Sequence, residues 1–358
     1  MRYASIDALR TLAIVLMVLV HFTENLAGWV IPFAGSGAPM FVILSGVSFA
    51  LWVEAQARRG VPAGEVTRRG VRRGAFLFLV GLAFNALVWM PEDIFNWDVL
   101  TLIGVGLVVL TLARHAPTPL LLGAAALAIA VTPALQVTVG AHEYWMNPWY
   151  DYDWTLRDVV VGFLAAGYFP LFPWIAYPLI GLAIGRWVYL GGEARRQRAR
   201  GLARLGVLTL VASVLLRWGA PRVLTADGVA PLVGWRMFPA TTQYTLQTIG
   251  QVLVLLGLLG RFVDGAGASE RGWRELVGLF SRSSFTLYVL HHLVHVWPLW
   301  IAAEAKGLET THFWREAVSR EASVGLALAF LVACVPLLRW RERRRVPSLE
   351  QLMRWFAD

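Results

Sequence analysis

Apolar runs constrain this chain more than any other feature. Ten stretches within its 358 residues are long enough, or nearly so, for the roughly 20 residues that an α-helix needs to cross a bilayer. They lie at 6–26, 36–56, 74–90, 98–113, 118–138, 159–190, 203–219, 242–261, 276–301 and 322–340. Backbone polar groups in hydrocarbon must be satisfied internally, so these runs predict an all-α, polytopic membrane bundle of about ten helices. Hydrophobic residues make up 57% of the chain and mean hydropathy is +0.58, which excludes an ordinary soluble domain. No linker separates the runs into units, so residues 1–358 are expected to form a single integral-membrane domain.

Charge then gives the bundle a direction. Arg58, Arg59, Arg68, Arg69, Arg72 and Arg73 follow the second run, and Arg195, Arg196, Arg198, Arg200 and Arg204 follow the sixth. Arg261, Arg271 and Arg274 follow the eighth, and Arg341, Arg343, Arg344 and Arg345 the tenth. Every even-numbered run therefore ends on the basic side, which the positive-inside rule reads as both termini in the cytoplasm and residence in the cell (inner) membrane. A net charge of +9 would suggest a nucleic-acid partner in a soluble protein, but here the arginines mark topology and no such partner is expected. The one cysteine, Cys334, sits in an apolar run and rules out an intrachain disulfide. The first run carries Asp7 and Arg10 and lacks a small-residue cleavage site, so it reads as a retained span. The sixth, 159–190, is too long for a straight crossing and contains Pro170, Pro173 and Pro178, so a Pro-broken or re-entrant segment is expected there.

The first run also holds the chain's most informative polar pair. Arg10 and His21 are eleven residues apart, which on a helix is three turns plus a small rotation, so both fall on one stripe ~16 Å apart along the axis. Ionisable groups inside a span are costly and usually face a protein interior or aqueous cavity. On a functional reading Arg10 holds an anion at the cytoplasmic mouth, Asp7 orients it at i,i+3, and His21 serves as general base, its imidazole suited to proton transfer near neutrality. On a structural reading, Asp7 and Arg10 end the helix at the interface and His21 bonds a neighbouring carbonyl.

The same spacing resembles the Arg-x10-His signature of the transmembrane acyltransferase superfamily, which includes the acyltransferase-3 proteins. Further segments resemble the heparan-alpha-glucosaminide N-acetyltransferase catalytic-domain family: ASIDALRTLAIVLMVLVHF, PMFVILSGVSFAL at 39–51, YFPLFPWIAYPLIGLAIGRW at 168–187, FPATTQYTLQTIGQVLVLLGLL at 238–259 and SSFTLYVLHHLV at 283–294. The resemblance implies acetyl-CoA or another acyl-CoA as cosubstrate, a catalytic histidine, and an arginine on the donor side. One departure matters. The lysosomal type has asparagine where His21 stands and carries its histidine in the next loop, but residues 22–38 contain none. The catalytic role therefore passes to His21 by the acyltransferase-3 pattern, and the glucosamine acceptor is not carried over.

Other residues follow as candidates. Arginine forks suit phosphate, so Arg69, Arg72 and Arg73 join Arg10 as donor-binding candidates, against plain topology signalling. His291 stands at a Tyr-x-x-His position that the resemblance places near the reaction chamber, in a supporting polar role. His291 and His295 are a turn apart, but no nearby acid or cysteine completes a metal set, so no metal is expected. Glu143 and Asp158 lie in a loop rich in Tyr and Trp, where rings and carboxylates suit a sugar acceptor and an interfacial aromatic belt explains the rings equally well. Glu24, a turn beyond His21, and Trp174 complete the acceptor candidates.

These readings converge on a membrane enzyme that moves an acyl group, acetyl by the resemblance, from cytoplasmic acyl-CoA to a hydroxyl or amine of an outward-facing glycan or amine. The alternative is a secondary transporter or lipid- or glycan-handling protein that uses the Arg10/His21 stripe as a proton relay. The lipid bilayer is a partner in either case, and a homodimer is an open assembly state.

Overall fold

A computed structural model describes residues 3–146, 149–264 and 271–358. The helices are α1 (Ala4–Ala27), α2 (Gly37–Arg58), α3 (Ala63–Phe84), α4 (Val99–Leu112), α5 (Thr118–Val139), α6 (Leu156–Val161), α7 (Leu171–Trp174) and α8 (Ala176–Ile184). They continue with α9 (Arg195–Val223), α10 (Ala226–Val229), α11 (Thr242–Phe262), α12 (Arg271–Arg282), α13 (Ser284–Glu304), α14 (Arg320–Arg344) and α15 (Leu349–Ala357). Ten helical segments are long and apolar enough to cross a bilayer, so the protein is a multi-pass membrane protein, and among the described residues the extended pairing is limited to an isolated bridge between Met237 and Ala240.

Among the described residues, five other helices pack directly on the first. Leu9, Ala13, Ile14 and Val18 of α1 are fully buried, and α2, α11, α12, α13 and α14 all lie against it. Outer helices show the reverse pattern: Leu208, Val211, Leu215 and Trp218 of α9 are exposed. In lipid such residues need no protein cover, and helices associate instead through close backbone packing at small residues. Gly46 and Gly181 show how close. A Cβ on Gly46 would lie 2.1 Å from the Pro178 carbonyl oxygen, and one on Gly181 would lie 2.1 Å from that of Ile43, so α2 and α8 meet backbone to backbone.

The prolines of 159–190 do break their segment. After α6 a π-turn over Gly162–Ala166 ends in extended backbone at Gly167 and Pro170, and α7 and α8 follow at an interruption around Phe172. The freed backbone groups find partners on the neighbouring turn before α4: the amides of Tyr168 and Phe169 donate to the carbonyls of Asn96 (3.1 Å) and Trp97 (2.9 Å). Irregular backbone at this depth is tolerated because it is buried in protein.

Three boundaries depart from the sequence expectation. Helix α3 begins at Ala63 rather than 74, because Glu65 bonds Arg68 and Arg69 at 2.7 Å across one turn, making the basic run helical rather than loop. The expected span 276–301 divides at Ser283 into an amphipathic α12 and a spanning α13. Helix α15 was not anticipated; Ser348 and Gln351 form a capping box that starts it, and Glu350 fastens it by accepting the amides of Phe285 (2.9 Å) and Thr286 (3.0 Å).

Candidate active site

A cavity of about 1180 Å³ runs alongside α1, lined by Arg10 near one end of the helix, His21 further along and Glu24 near the other end. The shared stripe read from the sequence is thus the inner face of α1. The basic end of the cavity is walled by Arg10, Ser48, Trp52, Arg73 and Glu350; the opposite end by Trp145, Trp149, Asp151, Trp235, Trp314 and Arg315.

Arg10 is held by hydroxyls from two other helices. Its Nη2 donates to Ser48 Oγ at 2.6 Å and its Nη1 to Ser281 Oγ at 3.0 Å. Ser281 in turn donates to the buried Asp7 carboxylate at 2.6 Å, so one hydroxyl links Asp7 and the guanidinium. Arg73 also reaches the cavity, with its guanidinium 4.6 Å over the Trp52 ring and 2.7 Å from Asp358.

His21 meets α13. Its Nδ1 lies 2.8 Å from Nε2 of the fully buried His291, whose Nδ1 lies 3.0 Å from the Leu287 carbonyl oxygen. A carbonyl can only accept, so the proton of neutral His291 sits on Nδ1 and its Nε2 offers a lone pair. His21 must then donate from Nδ1, which leaves the lone pair of neutral His21 on Nε2. His292 and His295 repeat the same local bond, each turning Nδ1 to the carbonyl four residues back, Tyr288 at 3.1 Å and His291 at 2.5 Å. His295 accepts in addition from the Asn25 amide at 2.8 Å. The metal set that span nine lacks by itself gains a third imidazole from α1: ligand nitrogens of His21, His291 and His292 lie within 4.8 Å of one another.

At the aromatic end the loop after α13 is sewn to the end of α1. Gly28 closes α1 with φ of 59°, a conformation that glycine adopts freely, and Arg315 donates its amide to the Asn25 carbonyl at 2.8 Å. The Arg315 side chain lies 3.4 Å from the Glu24 carboxylate and 4.6 Å over the Trp149 ring.

Several expected site residues take other places. Neither Arg69 nor Arg72 is on the cavity wall: Arg69, one turn nearer the start of α3 on the side of Arg73, is held by Glu65, and Arg72, about 100° round the helix from Arg73, is exposed. Asp158 is a local anchor that accepts from Tyr144 (2.6 Å) and Thr155 (2.7 Å) at the start of α6. Burial, then that carboxylate, push the Tyr144 hydroxyl up to about 12, so it remains a donor at neutral pH. Glu143 is exposed beside Gly140, and Trp174 is fully buried against Phe169 and Tyr177, its size making it core rather than wall. Sequence reasoning missed Ser48, Ser281, Asp98 and Arg315. Asp98, on the cavity wall, accepts from Tyr288, and an acid at the start of an apolar run was the one available signal for it.

Residues 2–218, more than half of the chain, match the family model described as heparan-alpha-glucosaminide N-acetyltransferase, catalytic. No curated protein matches the sequence.

Proposed function

The chain belongs to the heparan-alpha-glucosaminide N-acetyltransferase catalytic family, and from that premise we propose that it moves an acetyl group from cytoplasmic acetyl-CoA to a hydroxyl or amine of an outward-facing carbohydrate, with His21 as catalytic base. The observation that carries this reading is the bond from His21 to His291, which fixes one imidazole nitrogen as donor and leaves the other as acceptor on a residue that lines the cavity. Arg10 and Arg73 at the basic end suit the phosphates of the donor, with both termini and α15 on the cytoplasmic side of the cell membrane. Arg10 and His21 are ~16 Å apart along α1, a distance that an extended pantetheine arm spans.

In the proposed step, His21 Nε2 takes the proton of the acceptor O–H or N–H as that atom attacks the thioester carbonyl. The carbon–sulfur bond breaks, the acetyl group stays on the acceptor, and the coenzyme A thiolate leaves and is protonated by the imidazolium. His291, held by Leu287, positions the base in its productive tautomer, and Asp7 positions Arg10 through Ser281. The whole chain works as one unit in this account, since α1, α2, α3 and α4 from its first third and α13 and α15 from its last part all contribute to the cavity wall.

The test is acetyl-CoA consumption by the purified protein with an acceptor mixture, compared with His21→Ala. Loss of a positioned base lowers the rate by about 10²- to 10⁴-fold. Full transfer by the variant removes His21 from the chemistry. Stabilisation by a solute, with no acetyl-CoA consumed and no stabilisation by acyl-CoA, replaces the enzyme reading with the transporter reading.

A further inference from the structure

We infer that His21, His291 and His292 form a binding site for a zinc-type dication, and that its occupancy and acyl transfer exclude one another. The second half of this inference rests on the proposed role of His21; the first does not.

The site is built from two helices. His291 and His292 each direct Nδ1–H to a backbone carbonyl of their own helix, which fixes both rings and turns both Nε2 lone pairs away from α13. A backbone carbonyl on the far nitrogen is the usual support for a metal-ligating imidazole, because it sets the tautomer and the ring direction before the metal arrives. His21 completes the set from α1. Its ring centroid lies 5.1 Å from that of His291 and 4.5 Å from that of His292, and the two α13 rings are 3.9 Å apart. The ligand nitrogens, all within 4.8 Å of one another, need small ring rotations to reach the ~3.4 Å separation implied by tetrahedral Zn–N bonds of about 2.0–2.1 Å. His21 and His292 both line the cavity, so a fourth coordination position faces its interior.

The donor chemistry selects the ion. Three neutral nitrogen ligands suit Zn²⁺, Co²⁺, Ni²⁺ or Cu²⁺ and suit Mg²⁺ and Ca²⁺ poorly, since those ions favour oxygen. Two carboxylates share the cavity wall with the site, Glu24 along α1 and Asp98 at Tyr288.

Exclusion follows from the protons. In the base form His21 carries its proton on Nδ1 and donates it to His291 Nε2 at 2.8 Å. A dication bound by both of those nitrogens takes the place of that proton, which moves to His21 Nε2, so the site stays neutral in its own protons. Nε2 is then protonated and has no lone pair for the acceptor. One electron-pair inventory thus serves either the metal or the proton transfer.

The experiment uses the full-length purified protein, stripped with chelator and titrated with Co²⁺, whose visible absorption reports tetrahedral coordination. One equivalent is expected to bind with that spectrum, Zn²⁺ to displace it and Mg²⁺ to leave it unchanged. His292→Asn and His292→Ala, each checked for an unaltered thermal transition, should bind Co²⁺ at least about tenfold more weakly. In the wild-type protein Zn²⁺ should abolish acetyl transfer and chelator restore it, whereas His292→Asn should keep its transfer at the same Zn²⁺ concentration. No tetrahedral spectrum, or one that persists in both variants, overturns the site. Undiminished transfer by zinc-loaded protein overturns the exclusion. A cobalt spectrum that the variants lose, in a protein that transfers no acetyl group even when metal-free, upholds the site and rejects the functional reading.

Discussion

The two ends of the cavity differ in their arginines: Arg10 and Arg73 stand at the basic end and Arg315 at the aromatic end. Arg10 is gripped by two serine hydroxyls, with Asp7 reached through one of them. Arg315 meets the Glu24 carboxylate at 3.4 Å and lies over the Trp149 ring. Arg73, the second arginine of the basic end, meets a carboxylate and a ring much as Arg315 does, Asp358 at 2.7 Å and Trp52 at 4.6 Å, so the ends differ in the number of guanidinium groups on the wall. Two guanidinium groups on the wall suit an anion at the basic end, and rings beside Glu24 and Asp151 suit a neutral or cationic group at the aromatic end, in keeping with the proposed reading. His21 lies on α1 between them.

Three substitutions break or sharpen this contrast. The largest effect is expected for Arg10→Gln, which should raise KM for acetyl-CoA about 10- to 100-fold, as charge-assisted bonds are worth ~1.5–3 kcal/mol, and leave KM for the acceptor unchanged. Two-substrate initial rates measure both; a change confined to the acceptor would reverse the assignment of the ends. Glu24→Gln is the mirror experiment. It should shift acceptor KM about two- to fivefold without touching the donor, in keeping with the ~0.2–1 kcal/mol of a partly exposed ion pair. The smallest effect belongs to Asp358→Asn, which releases Arg73 at the basic end. Donor KM should fall by about twofold there, since that pair is also partly exposed and a donor phosphate no longer has to displace a carboxylate. A rise instead would make Asp358 a support for Arg73 rather than its competitor.

Much of the bundle was legible because hydropathy is a local property: each of the ten runs became a spanning segment, and the prolines marked the broken one. The Arg10/His21 stripe was legible for the same reason, since 3.6 residues per turn fixes which side chains share a face of one helix. What was not legible lies between helices. His21 and His291 are 270 positions apart, and nothing in either run announces that one will donate to the other. The choice of Arg73 over Arg72 needed the direction of the inner face of α3, which its packing against α4 and α15 supplies, and the choice over Arg69 needed the depth of the cavity along that face. Trp174 misled because an indole suits a sugar-binding wall and a tight core equally well, and its burial is a tertiary fact. Helix α15 escaped because nine residues are too few to cross a bilayer, although its start signal, Ser348 three residues before Gln351, was already written in the sequence.

The cavity beside α1 has a consequence for the membrane itself. It is walled by residues near both ends of a spanning helix, so it is also a place where the permeability barrier is thin. If both mouths were wet and open together, ions and protons could run down their gradients through the space where acyl transfer is proposed to occur. A protein with this interior must therefore keep one mouth closed while the other is open. Glu350 and Met353 of α15 already stand at the basic mouth, where the short helix can serve the cell as a stopper as much as a wall.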